Sequence, residues 1–266
     1  MALKIENEQF KTIDYSQDES VVIISINRPE AMNSFNAQLR TELLLALKKA
    51  VLMDDIRVII INGNGRNFSA GADLKNNDDA QKSLEEVLNK EYRPIFDLIS
   101  DINIPIIASV HGSAAGIGLS LALCCDLMIM SDDAFLLAPF SSISLVPDGG
   151  MNWFLVHQLG YRKAFEICIE AERIDAKYCV EYGLANKCVP AEDLILETLA
   201  WAKSIAKRAP LSVTATKKIM RYAASHSWSK TYDMEVTAQQ KLIDSNDFKE
   251  GVEAFINKRE PKFNGN

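Results

Sequence analysis

Three short segments of the chain carry small residues, glycines and an acid at spacings that could support chemistry. The first, FSAGADL at 68–74, directly follows a predicted strand and a glycine-containing turn. Its small side chains would let backbone N–H groups approach a ligand closely. An ordinary loop that leads into a helix, with Asp73 as the helix cap, explains the same residues. Both interpretations fit this segment when it is taken alone.

The second segment, HGSAAGIGL at 111–119, opens a helix where a strand ends. The first N–H groups of such a helix lack internal partners and its dipole is positive at that end, which suits an anion or a developing oxyanion. Its glycines are not spaced as G-x-G-x-x-G, and no acidic residue about 20 positions on ends a strand as a ribose binder would, so a dinucleotide site is not expected. Close packing of a helix on a sheet is the structural alternative.

The third segment, SLVPDGG at 144–150, places a single acid ahead of a helix. As a helix cap, Asp148 would accept N–H hydrogen bonds that favour its charged form and make it a weak base. In an apolar pocket near residues such as Trp153 and Phe154, desolvation would favour the neutral form and tune the carboxylate for proton abstraction. The residues themselves leave both interpretations open.

Short β-branched runs alternate with amphipathic stretches along the first half of the chain, which is α/β order. Strands are predicted at 21–26, 57–62, 104–110 and 127–130, and helices at 36–53, 91–101 and 117–125. Beyond Met151 the chain is expected to be almost wholly helical. This change places the predicted domain boundary near residue 190, between a core at 1–190 and a helical region at 191–266.

Composition limits the class of function. The 266 residues include 29 basic and 36 acidic ones, and the net charge of −7 disfavours a partner such as nucleic acid. Five cysteines without a C-x-x-C pair indicate buried thiols in a reducing compartment. The charged N-terminus and the lack of an apolar run of ~18 residues predict a cytoplasmic protein with no membrane partner. The three histidines show no ligand spacing, so no metal site is predicted.

In their order and spacing, the three segments resemble the enoyl-CoA hydratase/isomerase (crotonase) superfamily, and the resemblance covers nearly the whole chain. It rests on NRP at 27–29 with Asn33, SAGADL at 69–74, AAGIGLSLALCCD at 114–126, AF at 134–135, YGL at 182–184 and FINKR at 255–259. The resemblance implies an α/β fold in which a spiral of β-β-α units carries the active site. It also implies that C-terminal helices assemble a homotrimer, or a hexamer of two trimers.

The resemblance further implies an acyl-CoA substrate and no cofactor beyond the coenzyme A that the substrate carries. In the superfamily, two backbone N–H groups polarise the thioester carbonyl and hold the enolate. By position these belong to Ala72 and Ile117, and their side chains matter little because the donors are main-chain groups. The residues expected to contact the substrate are Ala70, Asp73, Leu74, Gly116, Phe140 and Lys258, the last through a CoA phosphate on its own or a neighbouring subunit.

Hydratases of the superfamily use two glutamates to activate water and deliver a proton. At the corresponding positions this sequence has Ser120 and Phe140. Neither a serine hydroxyl without a base nor a phenyl ring replaces a carboxylate in positioning and deprotonating water. Hydration by the usual mechanism is therefore not expected, and Phe140 is predicted to line an acyl pocket.

Asp148 falls where double-bond isomerases of the superfamily keep a single carboxylate. LVPDGG at 145–150 and AAGIG at 114–118 resemble the ring-opening isomerases of phenylacetate breakdown most closely. A single base can move a proton between two carbons of one dienolate without consuming water. The sequence therefore predicts an enoyl-CoA isomerase with Asp148 as its base. A 2-enoyl-CoA hydratase and a non-catalytic acyl-CoA-binding subunit are the alternatives.

Overall fold

A mostly parallel sheet of six strands forms the centre of the protein. The computed structural model describes residues 10–75 and 81–266. The strand order is β1-β2-β3-β4-β6-β9; only the β1–β2 hairpin is antiparallel. The strands of this sheet are β1 (Ile13–Asp18), β2 (Val21–Ile26), β3 (Val58–Gly63), β4 (Ile106–Val110), β6 (Leu127–Ser131) and β9 (Lys187–Val189). A smaller sheet contains β5 (Ser113–Ala115), β7 (Phe135–Leu137) and β8 (Ile174–Asp175).

Eleven α-helices are present in the described ranges. They are α1 (Ala37–Val51), α2 (Leu84–Val87), α3 (Arg93–Asp101), α4 (Ile117–Cys124), α5 (Met151–Leu159), α6 (Tyr161–Glu170), α7 (Ala176–Glu181), α8 (Leu194–Ala206), α9 (Pro210–Ala223), α10 (Trp228–Ile243) and α11 (Asn246–Ile256). A π-helical turn, Leu88–Tyr92, joins α2 to α3. No helix in the described ranges is both long and apolar enough to cross a membrane.

The large sheet is covered on both faces, which is why its inner strands are continuous apolar runs rather than alternating ones. Every residue of β4 is buried. On one face Ile59 and Ile61 pack with Leu39 and Leu43 of α1. On the opposite face a second apolar cluster joins the sheet to α8, and its buried members are Val21, Val58, Ile60, Ile107, Ile129, Leu194 and Ala202.

Two of the C-terminal helices are tied directly to the core. Helix α8 covers the sheet, and α9 is held by Asp126, whose carboxylate accepts from Lys217 at 2.7 Å and from Arg221 at 2.8 Å. Residues from both predicted regions thus share one packed interior. The boundary near residue 190 stays a prediction.

The four predicted strands are present, but five others were missed. The missed β1 is largely polar, with Ile13 as its one buried residue, and it is stabilised by pairing with β2 rather than by its own periodicity. The other missed strands, β5, β7, β8 and β9, have two or three residues each, too few to show a period. The prediction of almost wholly helical structure beyond Met151 was wrong at β8 and β9 for this reason.

Asn33 fixes the chain segment that precedes the first glycine-containing loop. It is fully buried and has a positive φ of 56°, which asparagine adopts more readily than most residues. Its side-chain oxygen accepts from the amide of Arg28 at 2.9 Å, and its nitrogen donates to the carbonyls of Asn64 at 2.8 Å and Asn67 at 2.6 Å. These bonds anchor the turn after β2 to the loop after β3.

Candidate active site

The loop after β3 presents the backbone amide of Ala72. Phe35 brackets this residue, because its amide donates to the carbonyl of Gly71 at 2.7 Å and its carbonyl accepts from the amide of Asp73 at 3.0 Å. The hydroxyl of Ser69 donates to the carbonyl of Asn33 at 2.8 Å and fixes the start of the loop. Ala72 is exposed, and its amide donates to no atom in the described part of the chain.

The loop before α4 presents the backbone amide of Ile117. Gly116 precedes it with a φ of +53°, and this turn makes Ile117 the first residue of α4. The Ile117 amide has no acceptor within residues 10–75 and 81–266. As an N-terminal helical N–H group, it combines an unused donor with the positive end of the helix dipole.

Main-chain hydrogen bonds join the two loops. The amide of Ser69 donates to the carbonyl of Ser113 at 3.0 Å, and the amide of Ala115 donates to the carbonyl of Ser69 at 2.9 Å. A side-chain carbon on Gly71 would lie 2.9 Å from the carbonyl oxygen of Ala115, so only glycine permits this approach. The segments that carry the Ala72 and Ile117 amides therefore lie side by side.

The side chain of Asp73 is part of this support. Its carboxylate accepts from the guanidinium of Arg28 at 2.9 Å and from the amide of Lys75 at 3.2 Å. Burial alone would raise the pKa of the Asp73 carboxyl, but these hydrogen bonds and the Arg28 charge outweigh burial and lower it. The first loop therefore carries a charged, engaged carboxylate.

The other residues predicted to bind substrate lie at different distances from these loops. Ala70 is half-buried, with its amide bonded to the carbonyl of Met32 at 2.9 Å, and the side chain of Leu74 is 76% exposed. Phe140 is buried, and its ring would be 4.0 Å from a side-chain carbon on Gly116. Lys258 is exposed just beyond α11. The predicted substrate contacts of all these residues stay predictions.

The loop that carries Asp148 packs on the first turn of α4. The hydroxyl of Ser120 donates to the carbonyl of Asp148 at 2.8 Å. A side-chain carbon on Gly149 would lie 2.6 Å from Cδ1 of Ile117 and 2.7 Å from Cβ of Ser120. The structure thus brings the Asp148 segment against the residue whose amide was predicted to hold an oxyanion.

Asp148 is not a helix cap. Helix α5 begins after Gly150 and has no side-chain cap hydrogen bond. Oδ1 of Asp148 is buried and has no hydrogen-bond partner within the described residues. Burial raises the pKa of the Asp148 carboxyl from 3.8 to about 6, and only the residue's own amide opposes that effect. Of the two interpretations left open by the sequence, the desolvated carboxyl is the one that the structure shows.

Asp148 lines a cavity of about 570 Å³. Four aromatic side chains also line it, those of Tyr92, Phe96, Trp153 and Phe154, and Arg221 of α9 contributes a charged group. Neither Ala72 nor Ile117 is among the described lining residues; Ile117 instead packs on Gly149. Asp148 therefore belongs to the cavity lining, whereas the two amide-bearing residues lie outside the described lining.

Sequence reasoning missed several of these cavity residues. Leu88, Tyr92 and Phe96 recur four residues apart, a spacing that predicts a common helical face, but the spacing does not reveal a cavity. Nothing in the sequence around Arg221 indicates that it lies near Asp148. Its guanidinium reaches Ser100 at 3.2 Å and the carbonyl of Cys124 at 2.9 Å through tertiary packing alone.

The histidines and cysteines have structural surroundings. His157 stacks on Trp153 with ring centroids 4.0 Å apart, and a ring nitrogen of His111 lies 3.1 Å from the carbonyl oxygen of Gly65. Burial raises the pKa of the Cys124 thiol to about 11, which disfavours a reactive thiolate. Within the described ranges, no three His, Cys, Asp or Glu residues form a group that could hold a metal ion.

Comparison with known proteins identifies the family. The sequence profile of the enoyl-CoA hydratase/isomerase family matches residues 16–266. The chain belongs to the enoyl-CoA hydratase/isomerase family. A probable enoyl-CoA hydratase of Rhodobacter capsulatus is 36% identical over 96% of this chain and 99% of its own length. A trans-2-decenoyl-[acyl-carrier-protein] isomerase of Streptococcus mutans is 31% identical over 96% of this chain and 99% of its own length.

The same comparison confirms the crotonase-type fold. The crystal structure of enoyl-CoA hydratase subunit I from Geobacillus kaustophilus superposes with a TM-score of 0.91. It is 30% identical, and the match covers 97% of this chain and 100% of that one. The α/β spiral expected from the sequence is therefore present, and family membership makes the protein an enzyme of the enoyl-CoA hydratase/isomerase group.

The raised pKa of Asp148 predicts a pH-dependent cost to stability. The pKa of Asp148 is higher in the folded protein than in the unfolded chain, so the fold favours the neutral carboxyl. The neutral carboxyl therefore contributes to the free energy of unfolding at low pH, and this contribution to stability is lost as pH rises through about 6. We expect Asp148→Asn, which keeps the shape without the charge, to raise the free energy of unfolding at pH 8 by up to about 3 kcal/mol. The gain should fall to about half by pH 5.

Urea unfolding of both proteins across this pH range measures the difference. Asp133→Asn is the matched control, because Asp133 is an exposed carboxylate bonded to the Ser131 hydroxyl at 2.5 Å. Asp133→Asn should not raise the free energy of unfolding at pH 8 by a comparable amount. Equal stability of Asp148→Asn and wild type at every pH would contradict the burial of this carboxyl.

Proposed function

We propose that the protein is an isomerase that moves a double bond in an acyl-CoA thioester, converting a 3-enoyl to a 2-enoyl group. The observation that carries the proposal is the Asp148 carboxyl, which is desolvated and has a pKa near 6. A carboxyl with this pKa is largely ionised at neutral pH and is a stronger base than an exposed one. The loop that carries this carboxyl packs against α4, whose first amide has no acceptor in the described part of the chain.

In the proposed reaction, the thioester oxygen accepts hydrogen bonds from the Ala72 and Ile117 amides. Asp148 removes a proton from C2 of the 3-enoyl group, and the electron pair moves into a dienolate whose negative charge rests on that oxygen. The same carboxyl returns the proton to C4, which leaves the double bond between C2 and C3. Atoms and electrons balance without water or a cofactor, since coenzyme A is part of the substrate.

The residues at the hydratase glutamate positions support isomerisation over hydration. Ser120 is buried, and its hydroxyl is engaged with the carbonyl of Asp148. Phe140 is buried and apolar. Neither can deprotonate a water molecule, and a single carboxyl cannot both activate water and supply the second proton simultaneously.

We assign the acyl chain to the cavity beside Asp148. A volume of about 570 Å³ lies within the range of small-molecule sites, and the aromatic walls suit an apolar chain or an aryl group. A thioester carbonyl at the two loops would direct its acyl carbons past Asp148 into this space. The acyl-binding residues in this proposal are therefore Phe96, Trp153 and Phe154, with Phe140 beside the loops.

Hydration of a 2-enoyl-CoA is the second candidate. The observation that favours it is the 36% identity to the probable hydratase of R. capsulatus. The 31% identity to the decenoyl-[acyl-carrier-protein] isomerase of S. mutans supports double-bond migration to a similar degree. Loss of the 2-enoyl absorbance with crotonyl-CoA or longer 2-enoyl-CoAs, at a rate above that of isomerisation, would favour hydration.

We also propose that the chain assembles as a homotrimer or a hexamer through its C-terminal helices. Large apolar side chains on α10 and α11 are exposed in the single chain, including Trp228 at 78% and Phe255 at 86%. Apolar surface of this kind is typical of interfaces. An assembly of this type would also bring Lys258, which follows α11, close to another subunit.

Asp148→Asn should lower the turnover of a 3-enoyl-CoA by about 100- to 10,000-fold, because the amide cannot accept the proton. In the wild type, kcat should rise with pH through about 6 as the carboxyl ionises. A continuous assay of 2-enoyl-CoA formation measures both. Asp133→Asn should retain wild-type turnover. Near-normal turnover by Asp148→Asn would remove the proposed base, and thioester binding without turnover in the wild type would favour a non-catalytic subunit.

Ile117→Pro tests the amide donor directly. Proline is tolerated at the first position of a helix and lacks the N–H group, so this change removes the donor without breaking α4. We expect kcat to fall by about 100- to 1,000-fold. Ile117→Ala is the matched control, since it loses the side chain but keeps the amide, and it should retain more than a tenth of the wild-type kcat. Equal losses in the two variants would contradict a role for the amide.

The assembly is tested by light scattering coupled to gel filtration. The expected mass is three or six times the chain mass of 29.6 kDa. Phe255→Glu should shift the population toward smaller species, because burying a charge in an apolar interface is costly. Leu52→Glu places the same charge on an exposed apolar site outside α10 and α11 and should leave the mass unchanged. A wild-type monomer would contradict the proposal.

A further inference from the structure

We propose that Ser120 is a positioning residue for Asp148 and fixes the carboxyl relative to the Ile117 amide. The inference rests on the proposed isomerase function, in which Asp148 is the base. Ser120 occupies a hydratase glutamate position, so its role cannot be the one that residue has in hydration. In the structure its hydroxyl instead donates to the main-chain carbonyl of Asp148, in the loop of residues 144–150.

The hydrogen bonding of Ser120 is specific to that loop. A serine inside a helix commonly donates to the carbonyl four residues earlier. Here that carbonyl, of Gly116, is 3.5 Å from the hydroxyl oxygen, whereas the carbonyl of Asp148 is 2.8 Å away. A hydroxyl has one proton to donate, so the geometry assigns it to Asp148. Ser120 is fully buried, so bulk solvent does not compete as an acceptor.

Close packing reinforces the hydrogen bond. Gly149 has a φ of +62°, and a side-chain carbon there would lie within 2.9 Å of atoms of Ile117, Ser120 and Phe96. The residue that follows Asp148 is therefore pressed onto α4 without space for a side chain. The Ser120 hydrogen bond fixes the position of the loop along the axis of α4. The Gly149 contact fixes the distance between the loop and α4.

The helix also carries the proposed oxyanion donor. Ile117 begins α4, and Ser120 lies three residues later, or about 4.5 Å along the helix axis. One rigid element thus bears both the amide that would hold the enolate oxygen and the hydroxyl that holds the base. A displacement of about 1 Å between reacting groups can cost about 100-fold in rate, so this shared support is relevant to turnover.

Loss of the Ser120 hydroxyl should shift the loop rather than unfold it. The carbonyl of Asp148 also accepts from the amide of Met151 at 3.2 Å, which is the first bond of the turn into α5. This second bond remains when the hydroxyl is removed. The loop should therefore stay hydrogen-bonded to the start of α5, but its position relative to α4 should become less fixed.

The test is Ser120→Ala, which removes the hydroxyl and adds no volume. We expect kcat for 3-enoyl-CoA isomerisation to fall about 10- to 100-fold, with KM changed less than about threefold. The low-pH limb of the kcat profile should move to lower pH, because a relaxed loop admits water to the Asp148 carboxyl and reduces its desolvation.

Ser109→Ala is the matched control. Ser109 is also buried, and its hydroxyl lies 2.9 Å from that of Thr198, where α8 packs on the sheet. Both variants lose one buried hydrogen bond, so their unfolding midpoints should fall by similar amounts. Ser109→Ala should keep the wild-type kcat and pH profile.

The outcomes separate this inference from the proposed function. If Ser120→Ala matches Ser109→Ala in kcat and pH profile while Asp148→Asn is inactive, the base is retained and the positioning role is overturned. If Asp148→Asn retains turnover, the proposed function itself fails. Gly149→Ala provides a second variant, because it forces the same loop off α4; a wild-type kcat in this variant would also overturn the inference.

Discussion

A carboxyl whose buried Oδ1 has no hydrogen-bond partner among residues 10–75 and 81–266 is the feature on which the candidate site depends. The loop of residues 144–150 keeps Asp148 in this state by packing against α4, and aromatic side chains line the cavity beside it. Such burial costs stability when the group is ionised, and proteins commonly accept such a cost where chemistry needs it. Here the same desolvation raises the pKa of Asp148 to about 6, so the ionised carboxylate binds a proton more tightly than an exposed one does.

The two loops that present the Ala72 and Ile117 amides are joined by main-chain hydrogen bonds. Ser69 is hydrogen-bonded to both Ser113 and Ala115, and glycine at 71 lets the two loops meet backbone to backbone. The positions of the Ala72 and Ile117 amides therefore follow from strand and loop geometry rather than from side-chain identity. The fold itself is shared with relatives that are about one third identical to this chain.

The sequence predicted the parts of the structure that depend on local chemistry. The buried strands β2, β3, β4 and β6 are β-branched or apolar runs, and α4 follows a glycine turn. Both features can be recognised in the sequence alone. The strands β5, β7, β8 and β9 were not predicted, because two or three residues gain their structure from pairing with distant strands.

The same distinction applies to the site. Asp148 was identifiable as a candidate base, but its environment was not, because the groups around it come from α3, α4, α5 and α9. Whether Asp148 caps a helix or is a desolvated acid depends on contacts between residues that are 28 or more positions apart in the sequence. The hydrogen bond from the Ser120 hydroxyl to the Asp148 carbonyl is one of them. Arg221 shows the limit most clearly, since it lies 73 positions from Asp148 and lines the same cavity.

Arg221 has two structural roles: it lines the cavity beside Asp148, and it forms an ion pair with Asp126. Its guanidinium forms part of the cavity wall, and the same group is bonded to Asp126 of the core, which Lys217 shares. Helix α9, which is anchored to the core through Asp126, thus also contributes a residue to the lining of this cavity. A substitution that changes how α9 is anchored to the core is therefore expected to change the wall of the cavity as well.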